Sequence, residues 1–197
     1  MPGPATVEAP RRHLTPRQAD LVERLLTAAG AEVGRSAYDG LTVRNVARAA
    51  GVAPATAYTY FSSKDHLLAE VLWRRFQAVP VRHFTAEQTR LDRVTSVLRD
   101  TGLFMADDPA TAAAGTTALL GSGPDVRRVR DRMGADMRHR LRRSLGADVD
   151  ESVLSALELA WSGAMLTAGM GHLSFADVPD RLADVARLIL AGADDPR

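Results

Sequence analysis

Between residues 42 and 61, two short helical patterns follow each other with a sharp break between them. The first pattern repeats apolar side chains at spacings of three and four on one face: Val43, Val46, Ala47 and Ala50. Gly51 can take the positive φ that ends a helix, and Pro54 fits the first turn of the next helix, which needs no N–H from it. The segment is therefore predicted to be a helix-turn-helix.

The second short helix is expected to bury Ala57 and Phe61 on one face, with Val52 beneath them. Tyr58 and Tyr60 then lie about 80° to either side, at a turn of about 100° per residue. The side chains that point away from the core are small: Ala55, Thr56 and Thr59. Small outward side chains allow a helix to approach base edges, and tyrosine hydroxyls at its flanks can reach phosphates. The same spacing also fits a helix pair that never touches DNA.

The whole chain is predicted to be all-α, with about nine helices, because no segment shows the alternation of a strand. Capping residues and breaks predict a first helix from Thr15 toward Gly34, followed by a turn at 36–40. Later helices are predicted to begin at a cap of Ser62 or Ser63, at Thr85 with Gln88, and at Asp108. Three more are predicted at about 124–145, 150–172 and 178–191. We predict a flexible arm at 1–14, a head at 15–61 and a larger body at 62–197.

Composition excludes several classes of function. The 197 residues include no cysteine, which rules out disulfides, thiolate metal sites and a cysteine nucleophile and fits the cytoplasm. The five histidines have no partner at i+4, and no phosphate-binding loop or nucleophile elbow occurs, so we expect no enzyme, metal or cofactor. Residues 1–64 carry eight basic and five acidic side chains, a weak basic bias that favours a polyanionic partner.

The segment YDGLTVRNVARAAGVAPATAYTYFSSKDHLLAEVL, residues 38–72, resembles the N-terminal region of the TetR family of bacterial transcriptional repressors. The resemblance covers roughly residues 17–75 and is carried by the Ala-x-x-Ala-Gly-Val turn, the Thr-x-Tyr-x-Tyr-Phe run and the Ser-Lys pair before a Leu-rich helix. It implies a three-helix DNA-binding head, a helical ligand-binding and dimerising body, and release of an operator when a small effector binds.

The resemblance also implies roles for single residues of the head. The predicted DNA-binding residues are Thr42, Arg44, Ala55, Thr56, Tyr58, Thr59, Tyr60 and Lys64. Thr42 and Arg44 would touch the backbone or an edge base, the tyrosines and Lys64 would hold phosphates, and the threonines would face bases. The chain departs from the family at Ala53 and Pro54, where the family often has a serine and a basic residue, so base readout would depend more on Arg44 and Thr59.

Residues 153–173 are apolar almost all round, but Glu158 and several hydroxyls interrupt them, so we predict a buried helix and no membrane span. Small residues at spacing four would allow close approach of another helix. With the last helix they predict a homodimer interface: Ala160, Ala164, Ala168, Leu182, Val185 and Ile189. Packing within one chain is the alternative.

A lipophilic effector would need an apolar pocket between helices of the body. The predicted lining residues are Phe76, Phe84, Leu98, Phe104, Met105, Leu119, Trp161 and Met165. The helix from Lys64 to Phe76 would link this pocket to the head, and its tilt would separate the two recognition helices of a dimer. The alternative is a body that docks a protein partner instead of a small molecule.

Residues 127–143 contain eight arginines interleaved with an apolar stripe, and Asp125, Asp131 and Asp136 offset part of their charge. The apolar stripe favours a solvated amphipathic helix. A surface for an acidic effector or partner is the alternative.

Overall fold

The computed structural model describes residues 15–193, and this part of the chain is all-α, as predicted. The predicted arm at 1–14 lies outside the described residues. The nine helices found in the described range are α1 Pro16–Gly40, α2 Val43–Ala49, α3 Pro54–Tyr60, α4 Lys64–Ala78, α5 Arg90–Leu103, α6 Pro109–Leu119, α7 Pro124–Leu145, α8 Glu151–Gly169 and α9 Val178–Ala193.

Side-chain caps begin most of these helices. Thr15 and Gln18 form a capping box at the start of α1, and the side chains of Ser63 and Asp108 cap α4 and α6 as predicted. The predicted start at Thr85 is wrong. There the Thr85 N–H donates to Gln88 Oε1 over 3.0 Å within a turn, and α5 begins only after the capping box of Thr89 and Asp92.

The first helix continues beyond its predicted end at Gly34, through the segment expected to be a turn, as far as Gly40. Its helical geometry is interrupted at Ala37, whose φ of 52° and ψ of −175° kink the chain. The eighth helix ends at Gly169, a few residues before the predicted end near 172.

The buried side chains form two clusters, and α4 contributes to both. The cluster of the head joins α1, α2 and α3 to Leu67 and Leu68 of α4. The cluster of the body surrounds Leu72 and Phe76 of the same helix together with side chains from α5 to α9. One helix, α4, therefore takes part in both cores.

The last two helices pack against each other, and α9 also packs on α5. No helix among residues 15–193 combines the length and the apolar character needed to cross a membrane. The long apolar helix α8 is instead anchored in the body by Leu154, Leu157 and Trp161.

Candidate nucleic-acid interface and cavity

The turn between α2 and α3 has the geometry that the sequence predicted. Gly51 adopts a φ of 66°, a left-handed conformation in which glycine has no Cβ strain. The N–H of Gly51 donates to Arg48 O over 3.1 Å, and the N–H of Val52 donates to Ala47 O over 2.9 Å. These bonds end α2 and turn the chain directly into α3, which begins at Pro54.

Helix α3 buries one narrow face and leaves the other in solvent. Ala57 and Phe61 are buried in the head, whereas Ala55 and Thr59 are exposed and Tyr58 keeps 50% of its surface accessible. Thr56 and Tyr60 are only partly buried, and Tyr60 packs against the core of the head. The Thr59 hydroxyl donates to Ala55 O over 3.2 Å, so its oxygen remains able to accept from a base or water. The exposed face of α3 therefore consists mainly of small side chains and hydroxyl groups.

Two arginines lie on the exposed side of α2. Thr42 caps this helix by accepting the Asn45 N–H over 3.1 Å. Arg48 Nη1 donates to Asn45 Oδ1 over 3.4 Å. Arg44 is exposed, and within residues 15–193 its guanidinium has neither a hydrogen-bond acceptor nor a carboxylate partner. Its charge is thus available to a phosphate or a base edge.

Lys64 has a partner within the head that the sequence did not reveal. Its ammonium donates to Tyr38 O over 3.0 Å and lies 4.0 Å from the centre of the Tyr38 ring. The Tyr38 hydroxyl in turn donates to Asp65 Oδ1 over 2.6 Å. Burial, followed by the hydrogen bond and charge of Asp65, raises the pKa of Tyr38 to about 12. An ammonium has three N–H groups, so Lys64 can hold the kinked end of α1 and still reach a phosphate.

The loop after α3 is bound to α7 of the body, a connection that sequence reasoning missed. The Ser62 hydroxyl donates to Asp125 Oδ2 over 2.6 Å, and this bond is the main reason why the pKa of Asp125 lies below its ordinary value. The Ser62 N–H donates to Nδ1 of the buried His66 over 3.2 Å. Ser62 and Asp125 are 63 positions apart in the sequence, so no local sequence pattern predicts their contact.

A cavity of about 260 Å³, open to solvent on one side, lies between α4, α6, α7 and α8. Its lining is mainly apolar and aromatic: Leu72, Phe104, Met105, Ala112, Leu119, Leu120, Met133, Gly134, Trp161, Met165, Leu166 and Phe175, with Thr116, Ser162 and Arg130 as the polar members. Five of the eight predicted pocket residues are among them, namely Phe104, Met105, Leu119, Trp161 and Met165. The volume is close to the lower end of the range of about 300–1,000 Å³ for small-molecule sites.

The other three predicted pocket residues lie elsewhere. Phe76 is fully buried behind the cavity wall, where its ring centre is 5.4 Å from that of Phe104 and 5.6 Å from that of Trp161. Leu98 is buried in the core of the body. Phe84 is in the segment between α4 and α5 and lines a separate crevice of about 10 Å³.

The predicted dimer residues divide into two groups. Ala168 and Leu182 are buried in the core of their own chain, and Ala160, Ala164 and Ile189 pack partly against that core. Val185 is exposed, as are two leucines that the prediction did not include, Leu159 and Leu188. At helical spacing, Leu159 shares a face of α8 with Gly163 and Leu166, so these helices present apolar surface outward.

The arginines of α7 are mostly engaged within the chain, as expected of a solvated amphipathic helix. Arg132 pairs with Glu70 of α4. Arg138 bridges Glu151 and Glu158 of α8, and the buried Arg140 pairs with Asp136 over 2.6 Å. No cluster of three His, Asp or Glu side chains suited to a metal ion occurs within residues 15–193.

A helix-turn-helix with an exposed, hydroxyl-bearing second helix, carried on a helical body with an apolar cavity, defines a DNA-binding transcriptional regulator. The family model described as bacterial regulatory proteins, tetR family, matches residues 25–71. An uncharacterised helix-turn-helix-type transcriptional regulator of Mycobacterium tuberculosis is 46% identical over 182 residues, which cover 91% of this chain and 85% of that protein. The chain belongs to the TetR family.

Two further comparisons extend over the body. The helix-turn-helix-type transcriptional repressor KstR of Mycolicibacterium smegmatis is 26% identical over 187 residues, covering 91% of this chain and 92% of that protein. The crystal structure of a TetR transcriptional regulator from Rhodococcus sp. RHA1 superposes with a TM-score of 0.72 at 25% identity, over 90% of this chain and 99% of that one. The fold of head and body together is therefore that of a TetR regulator.

Proposed function

We propose that this regulator is a repressor that binds a palindromic operator as a homodimer and leaves it when a small lipophilic effector occupies the cavity. The observation that carries the proposal is the exposed face of α3, where Ala55, Thr59 and Tyr58 project from a packed three-helix head. Similarity to a protein named a repressor supports the direction of the effect. Such a protein acts in the cytoplasm and needs neither a cofactor nor a catalytic residue.

In the proposed complex α3 enters the major groove. Thr56 and Thr59 face base edges, and the small side chain of Ala55 allows close approach. Tyr58 and Tyr60 reach phosphates at the two flanks, and Lys64 adds a phosphate contact through N–H groups that Tyr38 does not use. Arg44 supplies the free charge of α2.

Homodimerisation is proposed through the outer face of α8 and α9. One head offers too few contacts for a specific site, whereas a two-fold dimer reads half-sites about 34 Å apart or a multiple of that distance. The proposal uses Leu159 of α8 and Val185 and Leu188 of α9, which are exposed apolar side chains that an interface could bury. Two copies of the α8–α9 pair would form a four-helix bundle.

Effector release is proposed to pass through α4. Leu72 of this helix lines the cavity, and Phe76 lies behind the wall formed by Phe104 and Trp161. At the other end Lys64 is bound to Tyr38 in the head. A ligand that pushes α4 aside would therefore change the spacing of the two heads. A coupling free energy of about 1–3 kcal/mol is sufficient for useful release.

Selection of bound duplexes from random DNA tests the proposal. We expect an enriched palindrome whose half-sites are centred about one helical turn or a multiple of it apart. Enrichment of a single half-site would contradict dimeric recognition. Failure to retain any duplex at low salt, where phosphate contacts are strongest, would contradict DNA binding itself.

Replacing Tyr58 by phenylalanine is expected to weaken binding of all duplexes by about tenfold per half-site, because one hydrogen bond to a charged phosphate is lost. The ring still packs on the head, so folding should be unaffected. The matched variant Thr59→Ala is expected to change the preference at one base pair in each half-site. Competition assays with selected and random duplexes measure both. A change of sequence preference in Tyr58→Phe would assign that hydroxyl to a base.

A further inference from the structure

The cavity of the body has one charged side chain among its described lining residues, Arg130 of α7. Its Nη1 donates to two backbone carbonyls near the end of α6, to Leu119 O over 2.5 Å and to Gly121 O over 3.3 Å. Both acceptors are neutral. Within residues 15–193 no carboxylate pairs with this guanidinium, and the side chain is exposed while it lines the apolar cavity.

Several arginines of the same helix have carboxylate partners, whereas Arg127, which has none among the described residues, lies outside the cavity lining. Arg128 pairs with Asp125, Arg132 with Glu70, and Arg138 with two glutamates of α8. An exposed guanidinium that lines a cavity and has no carboxylate partner is suited to an anion that comes from outside the chain.

The rest of the lining has little to offer a polar ligand. The Trp161 indole N–H donates to Thr101 O over 3.3 Å, and the Thr116 hydroxyl donates to Ala112 O over 2.8 Å, so both donors are already used. Ser162 is exposed and lines the cavity together with Arg130. The body of a ligand would therefore contact side chains such as Met105, Met133 and Phe175, which favour apolar groups.

We infer that the effector is an amphipathic molecule with a compact apolar body and a single anionic group, and that Arg130 binds this group. The inference rests on the proposed function, which assigns an effector to the cavity, and adds the chemical class of that effector. A carboxylate is the simplest such group, since its two oxygens match the two parallel N–H donors of a guanidinium.

The same arginine connects the ligand to the head. Its acceptor Gly121 lies against the first turn of α4, where a Cβ added to this glycine would be 3.2 Å from Asp65 Oδ2. Asp65 accepts the Tyr38 hydroxyl in the head. An anion that takes over the guanidinium removes hydrogen bonds from the end of α6 beside this contact. Anion binding is thereby coupled to the position of α4 and of the head.

The experiment uses three probes with the same apolar chain and different head groups: decanoate, decanol and decylamine. Their affinities for the full chain are measured by calorimetry in the absence of DNA. We expect decanoate to bind most tightly. The variant Arg130→Gln should weaken decanoate binding about 10- to 100-fold, the loss expected for charge-assisted hydrogen bonds, and leave the binding of decanol unchanged. The control Arg127→Gln removes the same charge from an exposed position of α7 outside the cavity lining and should leave all three affinities unchanged.

Equal loss of decanoate binding in both variants would reduce the effect to net charge and overturn the inference. So would tighter binding of decanol or decylamine than of decanoate, or no binding of any probe. Operator binding by the unliganded wild-type chain is measured separately with a selected duplex. A chain that binds the duplex but shows no Arg130-dependent anion binding retains the proposed function and loses the inference. A chain that binds decanoate through Arg130 but binds no duplex retains the inference about the anion and loses the proposed DNA binding.

Discussion

Ala55→Glu is expected to lower the affinity of the chain for its operator by about 1,000-fold. Ala55 is exposed in the first turn of α3, on the face proposed to meet the bases. A carboxylate there meets base acceptors and phosphates and loses its water on approach, which costs about 2 kcal/mol or more per head. A dimer carries the substitution twice, and every 1.4 kcal/mol, roughly, is a factor of ten.

The fold should tolerate this substitution, because a negative charge in the first turn of a helix interacts favourably with the helix dipole. An unchanged melting temperature would verify that. Ala135→Glu adds the same charge at an exposed position of α7, and it should change operator affinity only slightly. Equal losses in the two variants would show a general effect of net charge and contradict the assignment of α3 to the groove. Binding is measured by fluorescence anisotropy at fixed salt concentration.

The helix-turn-helix of the head could be predicted from the sequence because it depends on local signals, whereas the end of the first helix was predicted too early. Capping by Thr42, the positive φ of Gly51 and the position of Pro54 are all decided within a few residues. The burial of Ala57 and Phe61 follows from helical spacing alone. The pairing of Lys64 with Tyr38 could not be predicted from local patterns, because it depends on how the kinked end of α1 packs against α4.

The body was harder to predict, since its features depend on which helices become neighbours. A buried aromatic residue gives the same pattern whether it lines a cavity, as Phe104 does, or lies in the solid core behind it, as Phe76 does. The arginines of α7 show the same limit. The sequence does not distinguish them, and only the packing of α4, α6 and α8 separates Arg132, which has a carboxylate partner, from Arg130, which has carbonyl partners.

Leu188→Glu is expected to dissociate the proposed homodimer, weakening its association by at least about 100-fold. Leu188 has 75% of its surface exposed, more than the other exposed large apolar residues of the described range. The variant should therefore fold with a stability close to that of the wild type. In a two-fold interface each substitution occurs twice, so dimerisation would bury two carboxylates without partners, at a cost of several kcal/mol. Light scattering coupled to size exclusion gives the mass.

Leu103→Glu places the same charge on an exposed leucine at the end of α5, outside the proposed interface, and should leave the dimer intact. The two variants also separate assembly from recognition. Because the head is unaltered in Leu188→Glu, its affinity for an isolated half-site should stay at the wild-type level, while affinity for the full palindrome falls toward that of the half-site. If the Leu188→Glu chain remained dimeric, the interface would not include the outer face of α9. The spacing of operator half-sites would then require a different two-fold axis.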